Sequence, residues 1–129
     1  MPYNILIVDD SATTRAMVKR IISLCGFDAA GVLEACDGKE ALDVLGARAI
    51  DLVLADLHMP NMGGIEMTQR MMGDPRLRKI PVVIVSADPN ANRIDQLKQQ
   101  GVRGYLAKPF TPERFRDVLG QLLGVPNHA

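Results

Sequence analysis

The hydrophobic pattern predicts an α/β fold: a doubly wound parallel sheet of five strands, with five helices spread over its two faces. Three observations carry this. Ile5–Val8, Leu52–Ala55 and Val82–Val85 are short continuous apolar runs, rich in β-branched residues. Continuous apolarity signals burial on both faces, the habit of parallel strands. Stretches of helical period separate the runs, and that alternation is the pattern of a sheet covered by crossover helices.

Each element has its own signals. Ile5–Val8 is the first strand. Ser11 caps the helix that follows and Gly26 stops it, with Met17, Ile21, Leu24 and Cys25 at i, i+4, i+7 and i+8 as the expected buried stripe. Val32–Cys36 is a weaker strand. Asp37, with Glu40 three residues on, forms a capping box and opens a helix carrying Ala41, Leu42 and Leu45. Leu52–Ala55 is the central strand. The Gly63-Gly64 turn precedes a helix over Ile65–Met72, and Val82–Val85 is the fourth strand. Ile94 and Leu97 mark a more polar helix ending at Gly101, and Gly104–Ala107 is a second weak strand. Thr111 caps the last helix, Pro112 takes its first position, and Phe115, Val118, Leu119 and Leu122 form its apolar stripe.

The 129 residues fit one domain, 1–129, with its core over about 3–124 and no linker, repeat or second module. Hydrophobic residues at 47% and charged residues at 23% exclude a disordered chain. Fifteen basic and fifteen acidic residues, with no basic stripe, argue against direct nucleic-acid binding. No apolar run approaches the roughly 18 residues of a membrane span, and the N-terminus lacks a signal-peptide profile. Two cysteines, Cys25 and Cys36, are too few for a disulfide framework. The expectation is a cytoplasmic protein with no membrane association.

In such a sheet, ligands bind beyond the carboxyl ends of the strands. Asp9 and Asp10 follow the first strand, Asp56 ends the third, Ser86 ends the fourth, and Lys108-Pro109 follows the fifth. Three carboxylates drawn together repel one another unless a cation is present, and an all-oxygen set suits Mg2+. Adding a lysine and a hydroxyl makes a site suited to a phosphoryl group, with one carboxylate as the nucleophile. Asp56, on the central strand, is the candidate. Taken singly these residues have plainer readings: Asp9-Asp10 as acids favoured by a helix dipole, Asp56 as a turn residue, Lys108 as a solvated lysine. The constellation outweighs them, because the charges need each other.

Asp9-Asp10, Asp56 with Met59-Pro60 and Gly64 after it, Ser86-Ala87, and Lys108-Pro109-Phe110 together resemble the receiver domain of two-component response regulators. The resemblance covers about residues 3–124, with four separated motifs in order at strand ends. It implies the flavodoxin-like strand order 2-1-3-4-5, which the hydrophobic pattern alone does not supply. It implies that Asp56 accepts a phosphoryl group from a histidine kinase or phosphotransfer protein. Asp10, Asp56 and the backbone carbonyl of His58 would ligate Mg2+, with Asp9 holding the ion through water. Ser86 and Lys108 would bind the phosphoryl oxygens, Tyr105 would be the switch aromatic, and the Lys108-Pro109 peptide would be cis. His58 and Asp88 stand where the family tunes the lifetime of the aspartyl phosphate. Ser86 replaces the commoner Thr, and Gly63 stands where many members have Asp.

The resemblance further implies a phosphorylation switch that reshapes the surface of the fourth helix, fifth strand and fifth helix for a downstream protein, as a monomer or a phosphorylation-dependent dimer. It implies no enzyme activity beyond self-phosphorylation from small donors and autodephosphorylation. A chain ending after the fifth helix is expected to be a stand-alone receiver of the chemotaxis or phosphorelay kind. The alternative is the receiver piece of a longer regulator with an output domain. A phosphatase of the haloacid-dehalogenase type, also with an Asp nucleophile, would need a second Asp two residues on, where His58 stands. A nucleotide or flavin module finds neither a G-x-G-x-x-G nor a G-x-x-x-x-G-K-[ST] loop, and few aromatics to sandwich a ring.

Overall fold

A computed structural model describes residues 3–26, 31–87, 91–108 and 110–123. The elements alternate strictly: β1 (Ile5–Val8), α1 (Ala12–Leu24), β2 (Val32–Ala35), α2 (Gly38–Ala47), β3 (Leu52–Asp56), α3 (Gly64–Met72), β4 (Val82–Ser86), α4 (Ala91–Gln99), β5 (Gly104–Ala107) and α5 (Pro112–Leu123). The strands form one sheet in the order β2-β1-β3-β4-β5, parallel throughout. In register, Ile5 lies beside Leu52 and Val8 beside Ala55.

The continuous apolar runs divide by the twofold period of a strand. Leu6, Val8, Val53, Ala55, Val82 and Ile84 face one layer, packed with Ala41 and Leu45 of α2, Met67 and Met71 of α3, and Leu97 of α4. Ile5, Ile7, Leu52, Leu54, Val83 and Val85 face the other, packed with Val18, Ile21 and Ile22 of α1 and Phe115, Val118 and Leu119 of α5. Every one of these strand residues is buried, as a sheet covered on both sides requires.

One expected face is corrected. On α1, Met17 is 42% exposed and Leu24 62% exposed, while Val18, Ile21 and Ile22 are buried and Cys25 packs beside them. Both series satisfy a helical period. The position of the sheet and α5 selects the one centred on Val18 and Ile22. The α5 stripe is as expected, with Phe115 fully buried and Leu122 partly so. The methionines at 62, 67 and 71 fill the core of one layer.

The caps follow the sequence signals. The Ser11 hydroxyl accepts from the Thr14 N–H at 3.2 Å, Asp37 from the Glu40 N–H at 2.8 Å, and Thr111 from the Arg114 N–H at 3.1 Å. The capping box is displaced by one residue: Glu40 accepts from the backbone N–H of Cys36 (3.1 Å), not from that of Asp37.

Candidate functional site

After β1 the chain leaves to build β2 at one edge, then returns to add β3 on the opposite side of β1. The crevice at the carboxyl ends of β1 and β3 is therefore the switch point of the sheet, where open α/β folds bind ligands. Asp9 and Asp10 follow β1, and Asp56 is the last residue of β3. The Asp9 N–H bonds to the Ala35 carbonyl at 3.0 Å, continuing the ladder one step past β1. The three carboxylates each bring an oxygen within 4.8 Å of the others. Asp9 is buried, Asp56 half-buried and Asp10 exposed.

Lys108 leaves β5 and reaches across β4 into the cluster. Its ammonium donates to Asp9 Oδ2 at 3.2 Å and lies 3.7 Å from Asp56 Oδ2. Asp9 Oδ1 accepts from the Ser11 N–H at 2.8 Å. Asp56 Oδ1 accepts from the Leu57 N–H at 2.7 Å, and the His58 N–H also bonds this carboxylate. Burial raises the Asp56 pKa above the ordinary carboxylate value. The Lys108 charge opposes the rise and the Asp9 charge adds to it. Three carboxylates and one ammonium leave two formal negative charges in a crevice lined with oxygen donors. That donor set fits a hard divalent ion such as Mg2+.

Ser86 ends β4 and is buried. Its carbonyl receives two donors from the next strand: the Lys108 N–H at 2.8 Å and the Tyr105 hydroxyl at 3.4 Å. Tyr105 is half-buried against the core layer of α2, α3 and α4. The structure thus brings Asp9, Asp10, Asp56, Ser86 and Lys108 to one sheet edge, with Tyr105 two register positions behind Ser86 on β5. The His58 side chain is exposed. Asp88 and the Lys108-Pro109 peptide lie outside the described residues.

Three features escape a reading of strand ends. Arg15 on α1 donates to the Asp9 carbonyl at 2.5 Å and pairs with Glu34 of β2 at 2.9 Å, bracing the acidic turn from behind. Its place four residues after the N-cap is the one hint in the sequence. Asp37 spans two loops, accepting from the Asn61 amide at 2.9 Å as well as capping α2. Gly64 brings the start of α3 against the end of β3: a Cβ there would sit 2.5 Å from the Asp56 carbonyl oxygen.

The profile of the response regulator receiver domain family matches residues 5–120. The chain belongs to that family. The receiver is 36% identical over 118 residues to the chemotaxis protein CheY of Pseudomonas aeruginosa, covering 92% of this chain and 94% of that one. It is also 36% identical to CheY-3 of Vibrio cholerae, covering 92% of this chain and 89% of that protein. Among solved structures it is similar to the chemotaxis response regulator CheY4 of Vibrio cholerae, with a TM-score of 0.83 at 28% identity over 95% of this chain and 99% of that one. The fold is shared with the receiver domain of a sensor histidine kinase of Pseudomonas aeruginosa, solved with magnesium ion coordinated in its active site cleft. That comparison gives a TM-score of 0.84 at 22% identity, covering 97% and 100% of the two chains. Receivers of the CheY type are generally non-catalytic signalling proteins that interact with histidine kinases and downstream targets. Among the described residues no helix is long and apolar enough to cross a membrane.

Proposed function

We propose that this receiver is a phosphorylation switch in which Asp56 takes the phosphoryl group. The observation that carries the reading is the convergence of Asp9, Asp10 and Asp56 within 4.8 Å, with the Lys108 ammonium on two of them. A carboxylate oxygen of Asp56 attacks the phosphorus of a phosphohistidine on a histidine kinase or phosphotransfer protein. The P–N bond breaks, the imidazole leaves, and a mixed acyl phosphate forms. Water later cleaves that anhydride to inorganic phosphate and the carboxylate, at a rate tuned through His58 and Asp88.

Asp10, Asp56 and the His58 carbonyl are the groups that would hold Mg2+, with Asp9 acting through water. When bound, the ion offsets the charge gathering on the phosphoryl oxygens. Lys108 neutralises a further part of that charge, and the buried Ser86 hydroxyl donates to a phosphoryl oxygen. Because Tyr105 and Lys108 both bond the Ser86 carbonyl, movement of Ser86 toward the phosphoryl group is passed to β5 directly. Tyr105 then shifts inward, changing the face formed by α4, β5 and α5. A downstream protein reads the switch if it binds one state of this face more tightly than the other. The switching unit is the single domain 1–129, with its core over about 3–124; the family match over residues 5–120 supports this. The chemotaxis proteins among its relatives favour a motility partner over a phosphorelay shuttle.

The test is incubation with Mg2+ and acetyl phosphate, followed by intact mass. A hydroxylamine-labile phosphoryl adduct that requires Mg2+ and is lost in Asp56→Asn supports the reading. No adduct from acetyl phosphate or from a panel of histidine kinases overturns it.

A further inference from the structure

We infer that Asp37 and Asn61 are positioning residues for the phosphoacceptor site, acting as a latch on the loop that follows Asp56; the inference rests on the function proposed above. Loop 57–63 begins with the two N–H groups that bond the Asp56 carboxylate and contains the His58 carbonyl. It closes on itself through the Gly64 N–H to the Leu57 carbonyl at 3.2 Å, and turns tightly at Met62, whose N–H bonds the Pro60 carbonyl at 2.7 Å. Between them, Asn61 has φ 66°, the one non-glycine residue in the left-handed region among those described. Asparagine tolerates that conformation better than most residues, but still at a cost that the surroundings must offset.

Those surroundings come from the β2–α2 junction. Asp37 Oδ2 accepts from the Asn61 side-chain amide at 2.9 Å, while Asp37 Oδ1 accepts from the Glu40 N–H that begins α2. One residue on, the Gly38 N–H donates to the Met62 carbonyl at 2.9 Å. Gly38 permits this approach because a Cβ there would stand 2.9 Å from that same oxygen. Asp37 is buried in the junction, and its pKa is lowered, first by the Asn61 amide and then by the Glu40 N–H. The loop that presents groups to Asp56 and the metal is thus tied to a rigid helix start 24 residues away in the chain. Groups that fix the orientation of metal ligands typically alter metal affinity by 10–100-fold when removed.

The chemistry of the pair allows a swap. Asn61→Asp sets a carboxylate against the Asp37 carboxylate, acceptor against acceptor, and cannot remake the bond. Adding Asp37→Asn supplies a donor while its oxygen still caps Glu40, so the two changes together remake both bonds with the roles exchanged. The experiment measures Mg2+ affinity by calorimetry and the rate of acetyl phosphate labelling, on the full chain, for wild type, Asn61→Asp, Asn61→Gly and the double swap. Asn61→Gly keeps the left-handed backbone and removes only the tie. Thr111→Ala, which uncaps α5, serves as the control for lost stability.

Both single variants are expected to bind Mg2+ about tenfold more weakly and to label more slowly. The swap is expected to return within about twofold of wild type, and Thr111→Ala to match wild type. Single variants that bind like wild type, a swap no better than Asn61→Asp, or a Thr111→Ala variant as impaired as the latch variants would each overturn the inference and leave the receiver chemistry standing. A wild-type protein that neither binds Mg2+ nor labels removes both.

Discussion

Replacing Asp56 by Asn tests the charge balance of the site without any kinase. In metal-free protein each of the other two carboxylates has an oxygen within 4.8 Å of Asp56. At an effective dielectric of about 20 the Asp9 carboxylate repels it by about 3.5 kcal/mol, less than the about 4.5 kcal/mol by which the Lys108 ammonium at 3.7 Å attracts it. The penalty on the ionised group therefore comes first from burial, and for a half-buried carboxylate beside one ammonium it is about 1 kcal/mol. Asp56→Asn keeps the shape and an acceptor for the Leu57 N–H while removing the surplus charge. With an unfolding entropy of about 2.1 cal/mol/K per residue, 1 kcal/mol is about 4 °C for a chain of this length. In chelator, then, the variant is expected to melt about 4 °C above wild type.

Mg2+ narrows the difference. At tenfold over its dissociation constant the ion stabilises wild type by about 1.4 kcal/mol, or about 5 °C, while the variant, short of one ligand, gains less than half of that. The raised pKa of Asp56 sets the pH window. Its penalty is full above the raised folded value and fades as pH falls through that value toward the ordinary carboxylate range, so the metal-free difference closes in acid. Thermal unfolding by circular dichroism, with chelator and with Mg2+, is the assay. A variant no more stable than wild type in chelator, or one that gains as much from Mg2+, would refute the reasoning.

Three further outcomes are expected. Gly64→Ala places a Cβ 2.5 Å from the Asp56 carbonyl oxygen and 3.0 Å from Ile84 Cδ1, and should cost about 1–3 kcal/mol in urea unfolding while weakening Mg2+ binding. Phe115→Ala empties the centre of the α1–α5 layer and should cost about 3–5 kcal/mol in the same assay, with the metal affinity of the folded fraction unchanged. The depressed pKa of Asp37 means its contribution is complete above the unfolded carboxylate value and is lost as pH falls through the lower folded value. The stability gap between wild type and Asp37→Ala, followed by pH-dependent urea unfolding, should therefore shrink only at the acid end.

Much of this molecule is legible in one dimension. Ile5–Val8, Leu52–Ala55 and Val82–Val85 announce themselves because a strand buried on both faces has no polar positions, and the residue after each run then stands at the edge where ligands bind. Asp9, Asp10, Asp56, Ser86 and Lys108 follow from that rule. Strand order does not, since nothing in an apolar run says which neighbour it pairs with; it came from resemblance. The α1 face was misjudged because Met17 and Leu24 repeat as well as Val18 and Ile22 do, and only the partner decides. The Asp37–Asn61 bond was out of reach for a different reason. It joins two loops 24 residues apart and depends on one left-handed residue, which no periodicity records.

The ion pair between Lys108 and Asp9 spans 99 residues of chain. Each partner hangs from a different strand, and the strands are joined only by helical crossovers. Closing so long a stretch of chain costs more entropy than forming the local helices does. That closure is also what opposes the repulsion of the acids, because the lysine is carried by β5. A chain still emerging or partly folded thus has the aspartates but not the cation beside them. Under the function proposed above, phosphoryl acceptance would then work as an inspection of the finished product, with the cation in place only in a molecule whose β5 is docked.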